Sequence, residues 1–276
     1  MSTLVVARKE FADAVRSRTL WGIVGIIAVM TSLAIAVSAF VPGETDVYAA
    51  IGGAAQFAGL LVPIMALVAA YLAIAGERES GSIKILLGLP PSRGAVLVGK
   101  FIGRSLVVVV GIVVGFAIAA IIAVAIFGTV PAVAFGSVTL LSAALGVAFV
   151  GIAIGISAAT ATRARAMTYG VSVYLLLTLL WDLFPEIVRM VVGGTTEAGG
   201  IAAWYIFLTI LSPTGAFNGL VREILARETG TPGVGFGLAG GTPFYLEPAA
   251  MAVILVMWTI VPLGAGYLWF RAADLS

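Results

Sequence analysis

One short segment has nearly the spacing of a phosphate-binding loop. Gly94, Gly99 and Lys100 stand at the positions that cradle nucleotide phosphates in such a loop. The next position should hold Ser or Thr, whose hydroxyl binds magnesium, but this chain has Phe101 there. No predicted strand precedes the segment, and the residues after it are apolar enough to enter a membrane. The sequence therefore does not favour a nucleotide site here.

The residue types that most enzyme chemistry needs are missing. The chain has no Cys and no His, which excludes thiol nucleophiles, disulfides, Ser-His-Asp triads and the commonest zinc and copper ligands. The apolar segments also contain no paired-carboxylate site. We therefore expect no catalytic, cofactor-binding or metal-binding residues in this chain, and no enzymatic activity of its own.

A small group of charged residues interrupts one apolar segment near its end: Asp182, Glu186 and Arg189. Glu186 and Arg189 are three residues apart, a spacing at which opposite charges pair on a helix. Two interpretations stay open, an ion pair at the membrane interface, which we favour, and polar contacts with a substrate. Elsewhere the apolar segments lack the ionisable groups that ion-coupled carriers need, which disfavours a self-contained secondary carrier.

The elements that must position these residues lie in lipid. Of the 276 residues, 61% are hydrophobic and 10% are charged, whereas soluble domains have about 25% charged residues. A membrane-crossing helix needs about 20 mainly apolar residues. We predict an all-α polytopic membrane protein with six transmembrane helices. The predicted spans are 20–41, 51–75, 105–127, 134–162, 166–181 (with apolar character extending to 192) and 248–270.

Residues 198–221 form a further uncharged stretch, but its middle favours a break. Ser212 is a typical helix N-cap, and Pro213 is typical of the first helical residue. The part before the break is too short to cross a membrane. The part after it has apolar residues on one face and charged residues mostly elsewhere, which is typical of an interfacial helix. We predict a broken or re-entrant element within an extracytoplasmic segment 193–248, although a seventh crossing also fits the distribution of charge.

Residues 2–18 combine apolar and charged positions in a helical pattern. We predict an interfacial helix with Phe11 and Ala12 on its apolar face and Glu10 on its polar side. With six spans, twelve of the 15 Lys and Arg residues lie on the side of the N-terminus. The positive-inside rule therefore places both termini in the cytoplasm and the protein in the cytoplasmic (cell) membrane.

The longest predicted cytoplasmic connection, residues 76–100, has a helical pattern of its own. Apolar residues recur at helical spacing up to Leu87, so we predict a short amphipathic helix from about Glu77 to Leu87. Ser92 can cap the helix that follows. The short helix suits either a docking handle for a partner protein or a loop helix resting on lipid headgroups, and the residues alone leave both open.

One set of residues in this connection forms a recognisable pattern. Its members are Gly76, Glu77, Glu79, Gly81, Ser82, Leu86, Leu87, Pro90, Ser92, Arg93, Gly99 and Lys100. The pattern resembles the signature between the second and third helices of ABC-2 type transporter permeases, and the chain is most similar to their NosY-like group. The resemblance extends to the segment from Arg8 to Phe11 and to the six-helix layout, so the whole chain 1–276 is interpreted as a single ABC-2 type transmembrane domain.

This resemblance implies a membrane core that pairs as a homodimer or with a second permease. A separate ABC ATP-binding subunit, holding ATP and magnesium, would drive it from the cytoplasmic face, and no nucleic-acid partner is expected. The N-terminal helix would be the elbow helix, and the segment from about Glu77 to Leu87 the coupling helix. The implied ATPase-docking residues are Glu77, Arg78, Glu79, Ser80, Gly81, Ser82, Lys84 and Arg93.

Two functions stay open at this point. The leading hypothesis is a permease that moves a substrate across the cytoplasmic membrane with energy from ATP hydrolysis on the partner. The alternative is a non-transporting scaffold that transmits motion to extracytoplasmic partners, and an ion-coupled carrier is a weaker third. A direct copper channel is disfavoured, because soft ligands are expected for copper and the chain has no His or Cys.

Overall fold

The computed structural model describes residues 3–15, 18–40, 46–81, 92–192, 202–235, 238 and 241–273. Within these ranges every regular element is a helix and no strand occurs. The predicted all-α membrane fold is therefore confirmed.

Eleven α-helices follow one another in the described part of the chain. They are α1 (Thr3–Val15), α2 (Arg18–Ser38), α3 (Val47–Ala70), α4 (Ala75–Glu79), α5 (Arg93–Phe127), α6 (Ala132–Ala159), α7 (Arg163–Tyr174), α8 (Leu183–Val192), α9 (Ala203–Ile210), α10 (Pro213–Thr229) and α11 (Pro248–Ala272). A π-helical turn, Leu175–Leu179, continues α7, and a short 3-10 turn, Phe244–Leu246, precedes α11.

Five stretches are long and apolar enough to cross a membrane: α2, α3 with α4, α5, α6 and α11. Two bent pairs also meet this test when each is taken together. The π turn after α7 and helix α8 meet at a bend of 60°, and α9 and α10 at a bend of 114°. The described residues therefore support five to seven crossings, and the number six stays a prediction.

The fifth predicted span differs from the expected uninterrupted helix. The π turn Leu175–Leu179 ends at Leu180, and the chain then bends before α8 begins at Leu183. A π turn widens the helix locally and is often found at functional sites. The apolar run gave no sign of the break, because the same residues also suit a straight helix.

The helix ends follow the expected capping chemistry. Ser92 Oγ accepts a hydrogen bond of 3.2 Å from the Ala95 amide at the start of α5. The same helix ends at Gly128, whose φ of +76° is accessible to glycine at little cost. At the break between α9 and α10, Ser212 Oγ accepts a bond of 2.9 Å from the Gly215 amide, as predicted.

Glycines allow several pairs of helices to pack closely, with the backbone of one helix against its neighbour. A Cβ on Gly115 of α5 would lie 2.8 Å from Ile27 Cγ2 of α2. A Cβ on Gly151 of α6 would lie 2.6 Å from the carbonyl oxygen of Thr259 in α11, and Gly155 makes a similar approach one turn later. Small residues at such spacing bring helices together in lipid, where no hydrophobic effect drives their association.

The structure corrects the predicted orientation of α1. Val6 and Ala7 are buried, whereas Ala12, expected on the apolar face, is exposed. The Glu10 side chain, expected on the polar side, is only 14% exposed and lies against the bundle. Its burial follows from basic partners on α5, and these partners define the candidate site.

Candidate functional site

Lys100 lies at the centre of a buried group of charges. It stands two turns into α5, its side chain is 2% exposed, and its Nζ donates to two carboxylates. One is Glu10 Oε1 of α1 and the other is Glu77 Oε1 of α4, each at 2.7 Å. One ammonium group therefore joins three helices whose residues are far apart in the sequence.

Arg104, one turn further along α5, extends this group. Its Nη2 lies 3.0 Å from Glu10 Oε2, and its Nη1 donates to the Ala69 carbonyl oxygen at 3.1 Å. Ala69 belongs to the last turn of α3, where backbone carbonyls lack partners within the helix. We call Glu10, Glu77, Lys100 and Arg104 the charged end of the molecule.

The basic partners of Glu10 favour its ionised form. Burial by itself raises the pKa of Glu10, but the charges and hydrogen bonds of Lys100 and Arg104 outweigh it, so that this pKa lies below its ordinary value. A buried ion pair adds little net stability compared with apolar side chains, yet loss of one partner costs about 3–5 kcal/mol. The cluster therefore determines which helices meet here.

A glycine makes room for this arrangement. A Cβ on Gly103 would lie 2.6 Å from Glu10 Cβ and 3.1 Å from the Ala7 carbonyl oxygen. Any larger residue would push α1 away from α5. Gly103 thus allows the Glu10 carboxylate to reach both of its basic partners.

Helix α4 is also tied to the neighbouring helix ends. Ser157 Oγ of α6 accepts hydrogen bonds from the amides of Ile74 and Ala75, at 3.0 and 2.9 Å. Arg78 Nη1 donates to the Thr160 carbonyl oxygen at 3.0 Å, just after α6 ends. Glu79 Oε2 accepts from the Arg163 amide, the first residue of α7. A displacement of α4 therefore acts directly on α5, α6 and α7.

Arg93 binds the end of the last helix. Its Nη1 donates to the carbonyl oxygens of Phe270, Arg271 and Ala273, at 2.8, 3.0 and 2.9 Å. Its guanidinium also lies 5.7 Å from the centre of the Phe270 ring. A cation at the carbonyl end of a helix satisfies unpaired acceptors and complements the helix dipole. Arg93 thus connects α5 to the C-terminus of α11.

The predicted docking residues separate into groups in the structure. The side chains of Glu77, Arg78 and Arg93 bind within the bundle. Glu79 and Ser80 are exposed, although Glu79 also bonds to α7. Helix α4 ends at Glu79, and Gly81 follows it with φ of +73°. The remainder of the predicted helix, up to Leu87, lies outside the described residues. Ser82 and Lys84 lie outside the described residues.

Three members of the cluster were missed as site residues in the sequence: Glu10, Lys100 and Arg104. For Lys100 a signal was present, since a lysine at the start of a long apolar helix is costly without a partner. Ser157 gave no comparable signal, because serine is common in membrane helices for packing alone.

At the opposite end of the bundle, Glu186 and Arg189 form the ion pair that their spacing predicted. Arg189 Nε lies 3.0 Å from Glu186 Oε2, and Arg189 Nη2 binds the other carboxylate oxygen. Asp182 does not join this pair. It lines two hollows beside Thr178 and Thr214, between the two bent pairs of helices.

The described residues contain no group of three or more His, Cys, Asp or Glu side chains that could hold a metal ion. The paired charges of the charged end also leave no nucleophile beside a general base. What this arrangement can do is mechanical: it connects several helix ends to one short helix, α4, of which Glu79 is exposed.

Comparison with known proteins adds two findings. The sequence model of the ABC-2 family transporter proteins matches residues 4–275. The chain is 30% identical over 276 residues to the probable ABC transporter permease protein NosY of Stutzerimonas stutzeri, covering 96% of each chain. It is 29% identical over 274 residues to the protein of the same name from Pseudomonas aeruginosa, again covering 96% of each chain.

Proposed function

Because this chain belongs to the ABC-2 family of transporter proteins and is the membrane subunit of an ABC transporter, we propose that ATP hydrolysis on a separate ATP-binding subunit drives it to move a substrate across the cell membrane. The chain itself is of the permease type. Its phosphate-loop-like Lys100 is bound by Glu10 and Glu77 and is therefore not available to a nucleotide. Energy then has to enter through contact with the partner.

The bond pattern of Lys100 is the observation that carries this proposal. Through its two carboxylate partners it joins the proposed elbow helix α1, and α4, in which the proposed coupling segment begins at Glu77, to the membrane helix α5. Ser157 and Arg78 connect the same short helix to α6. A push on α4 by an ATPase would reach several membrane helices at once through these side-chain contacts.

The charged end faces the cytoplasm in this proposal, with both termini on that side. It contains Lys100 and Arg104, and Arg93 and Arg163 lie at neighbouring helix ends. This density of basic residues is what the positive-inside rule associates with the cytoplasmic side. The ATP-binding subunit would meet the exposed residues around Glu79, and the permease would pair with a second copy or a second permease.

Family membership and the permease names of the relatives favour transport over a scaffold that only transmits motion. In this proposal the broken pair α9 and α10 is a re-entrant element on the extracytoplasmic side. Two tryptophans support this break: Trp181 Nε1 donates to the Leu208 carbonyl oxygen at 2.9 Å, and Trp258 Nε1 to that of Leu211 at 2.8 Å. Irregular backbone at membrane depth requires such partners.

Co-purification with the ATP-binding subunit tests the docking surface. We expect Glu79→Lys to lower both the recovery of that subunit and the ATP turnover of the complex. Glu79→Gln retains an acceptor for the Arg163 amide and is expected to have a smaller effect. Glu228→Lys, an exposed acid on α10, is the matched control and should change neither. If Glu79→Lys leaves recovery and turnover unchanged, the docking assignment is wrong.

Glu77→Lys is a poor probe of docking, although Glu77 is among the docking residues that the family resemblance implies. The new lysine would stand beside buried Lys100, so the fold itself would be destabilised. A loss of ATPase binding in that variant would not distinguish lost docking from a destabilised fold. The Glu79 variants, with thermal stability measured alongside, separate them.

A further inference from the structure

At the end of the bundle opposite the charged end, two hollows of about 330 and 360 Å³ lie side by side. They share four lining residues, and all four are polar. These are Thr178, Asp182, Thr214 and Asn218. We call this group the cavity end. The membrane-spanning part of a protein rarely collects so many polar groups without a function.

The two breaks in the helices bring these residues together. Thr178 lies in the π turn and Asp182 in the bend that follows it, while Thr214 opens α10 directly after the break. Thr178 Oγ1 and Thr214 Oγ1 are 3.5 Å apart. Asn218 stands one turn after Thr214, so its amide lies on the same face of α10. Two hydroxyls, an amide and a carboxylate therefore border one space.

Asp182 carries the negative charge of this group. Among the described residues no basic side chain forms an ion pair with it, and its neighbours Glu186 and Arg189 pair with each other. Carboxylate, amide carbonyl and hydroxyl oxygens are all hydrogen-bond acceptors. One negative charge among several acceptors matches a singly charged cation that has several donors. A divalent metal is a poorer match, because the described residues place no group of three or more His, Cys, Asp or Glu side chains together.

The walls of the hollow next to the break between α9 and α10 favour an organic cation. Trp181 and Tyr205 line it, and aromatic faces attract ammonium groups. Its volume of about 330 Å³ is within the usual range of small-molecule sites. Arg222 lines the same hollow, so a ligand with an anionic group beside its amine would meet a second partner.

We propose that the cavity end binds the primary ammonium group of an organic ligand, with Asp182 as its counter-ion and Thr178, Thr214 and Asn218 as hydrogen-bond acceptors. Arg222 receives an anionic substituent of the same ligand. An ammonium group has three N–H donors, enough to use the acceptors on both helices. This site does not depend on the proposed ATP coupling, because binding needs neither nucleotide nor the partner subunit.

A phosphate next to a primary amine combines the two charges, and it has two sources. It occurs in the headgroup of phosphatidylethanolamine and in soluble O-phosphoethanolamine. The full-length protein in phosphatidylcholine nanodiscs is titrated with O-phosphoethanolamine by calorimetry. Phosphocholine is the matched ligand control, since its nitrogen is fully methylated and has no N–H to donate.

We expect saturable binding of O-phosphoethanolamine and at least about tenfold weaker binding of phosphocholine. Asp182→Asn should weaken binding of O-phosphoethanolamine by about tenfold or more. Glu186→Gln, on the same helical element but paired with Arg189, should leave it unchanged. Thermal unfolding of each variant verifies that the fold is retained.

A second series distinguishes the two sources. If the headgroup of a lipid is the ligand, nanodiscs containing phosphatidylethanolamine raise the melting temperature of the wild type but not of Asp182→Asn, and they compete with the soluble probe. If the ligand is soluble, the probe binds equally in both kinds of nanodisc. Equal binding of phosphocholine, unchanged binding by Asp182→Asn, or no binding of the amine in either form overturns the proposal.

Discussion

The two ends of this helix bundle differ in the arrangement of their charged side chains. At the charged end, two acids and two bases are bound to one another, and Lys100 is almost fully buried. At the cavity end, Asp182 is exposed and forms no ion pair with any described residue. The first arrangement fixes helices to each other, and the second leaves space between them. Under the proposed ATP coupling, we therefore expect motion to enter at the charged end and to have its effect at the cavity end.

Removal of Lys100 should have the largest effect on stability. Lys100→Ala leaves the Glu10 and Glu77 carboxylates close together without their shared cation, and we expect a loss of about 3–5 kcal/mol in the free energy of unfolding. Denaturant unfolding in detergent measures it. Lys9→Ala, which removes an exposed lysine of α1, is the matched control and should change little. Equal stability of the two variants would show that the charged end is not a structural unit.

The attachment of α4 to α6 should have the next largest effect. Ser157→Ala removes the acceptor of two buried amides, those of Ile74 and Ala75. An unsatisfied buried donor costs about 1–3 kcal/mol. Ser142→Ala is the control, since Ser142 is equally buried but bonds only to the Val138 carbonyl of its own helix. If both variants are equally stable, α4 is not held through Ser157.

Acid should weaken the charged end in a defined pH range. The folded-state pKa of Glu10 is lowered from 4.5, so its contribution to stability is fully present above that pH and is lost as the pH falls through the folded value. We expect the thermal stability of the wild type to drop below pH 4.5 more steeply than that of Glu10→Gln, which has no carboxyl group there to protonate. Parallel pH profiles for the two proteins would contradict this role of Glu10.

The smallest effect on stability is expected at the cavity end. Asp182→Asn removes an exposed charge without an ion-pair partner in the described chain, so the free energy of unfolding should change by no more than about 0.5 kcal/mol. Thermal unfolding of this variant beside Lys100→Ala compares the two ends in one experiment. A large loss in Asp182→Asn would mean that the cavity end also fixes the fold.

Local chemistry explains which features were predictable from the sequence. The apolar runs predicted the membrane helices, and Ser212 with Pro213 predicted the break between α9 and α10. The spacing of Glu186 and Arg189 predicted their ion pair. Each of these depends on residues within one or two helical turns, where sequence spacing determines which side chains meet.

The features that were missed depend on distant partners. Glu10 was assigned to the polar side of α1, because a carboxylate is expected to face water unless a cation is near, and Lys100 is 90 residues away in the sequence. The π turn Leu175–Leu179 lies in an apolar run that suits several helical geometries. Arg93 was expected to contact a partner protein, but in the structure its guanidinium donates to three carbonyl groups at the end of α11.

Electron-spin distance measurements on the complex with its ATP-binding subunit test the central claim most directly. The chain has no Cys, so introduced cysteines can be labelled without background. One label pair, Ser80→Cys with Val98→Cys, reports on the charged end, and another, Leu180→Cys with Arg222→Cys, on the cavity end. Between the nucleotide-free and ATP-bound states, we predict a change within about 1 Å for the first pair and of more than about 2 Å for the second. A large change at the charged end with a constant distance at the cavity end would contradict the account.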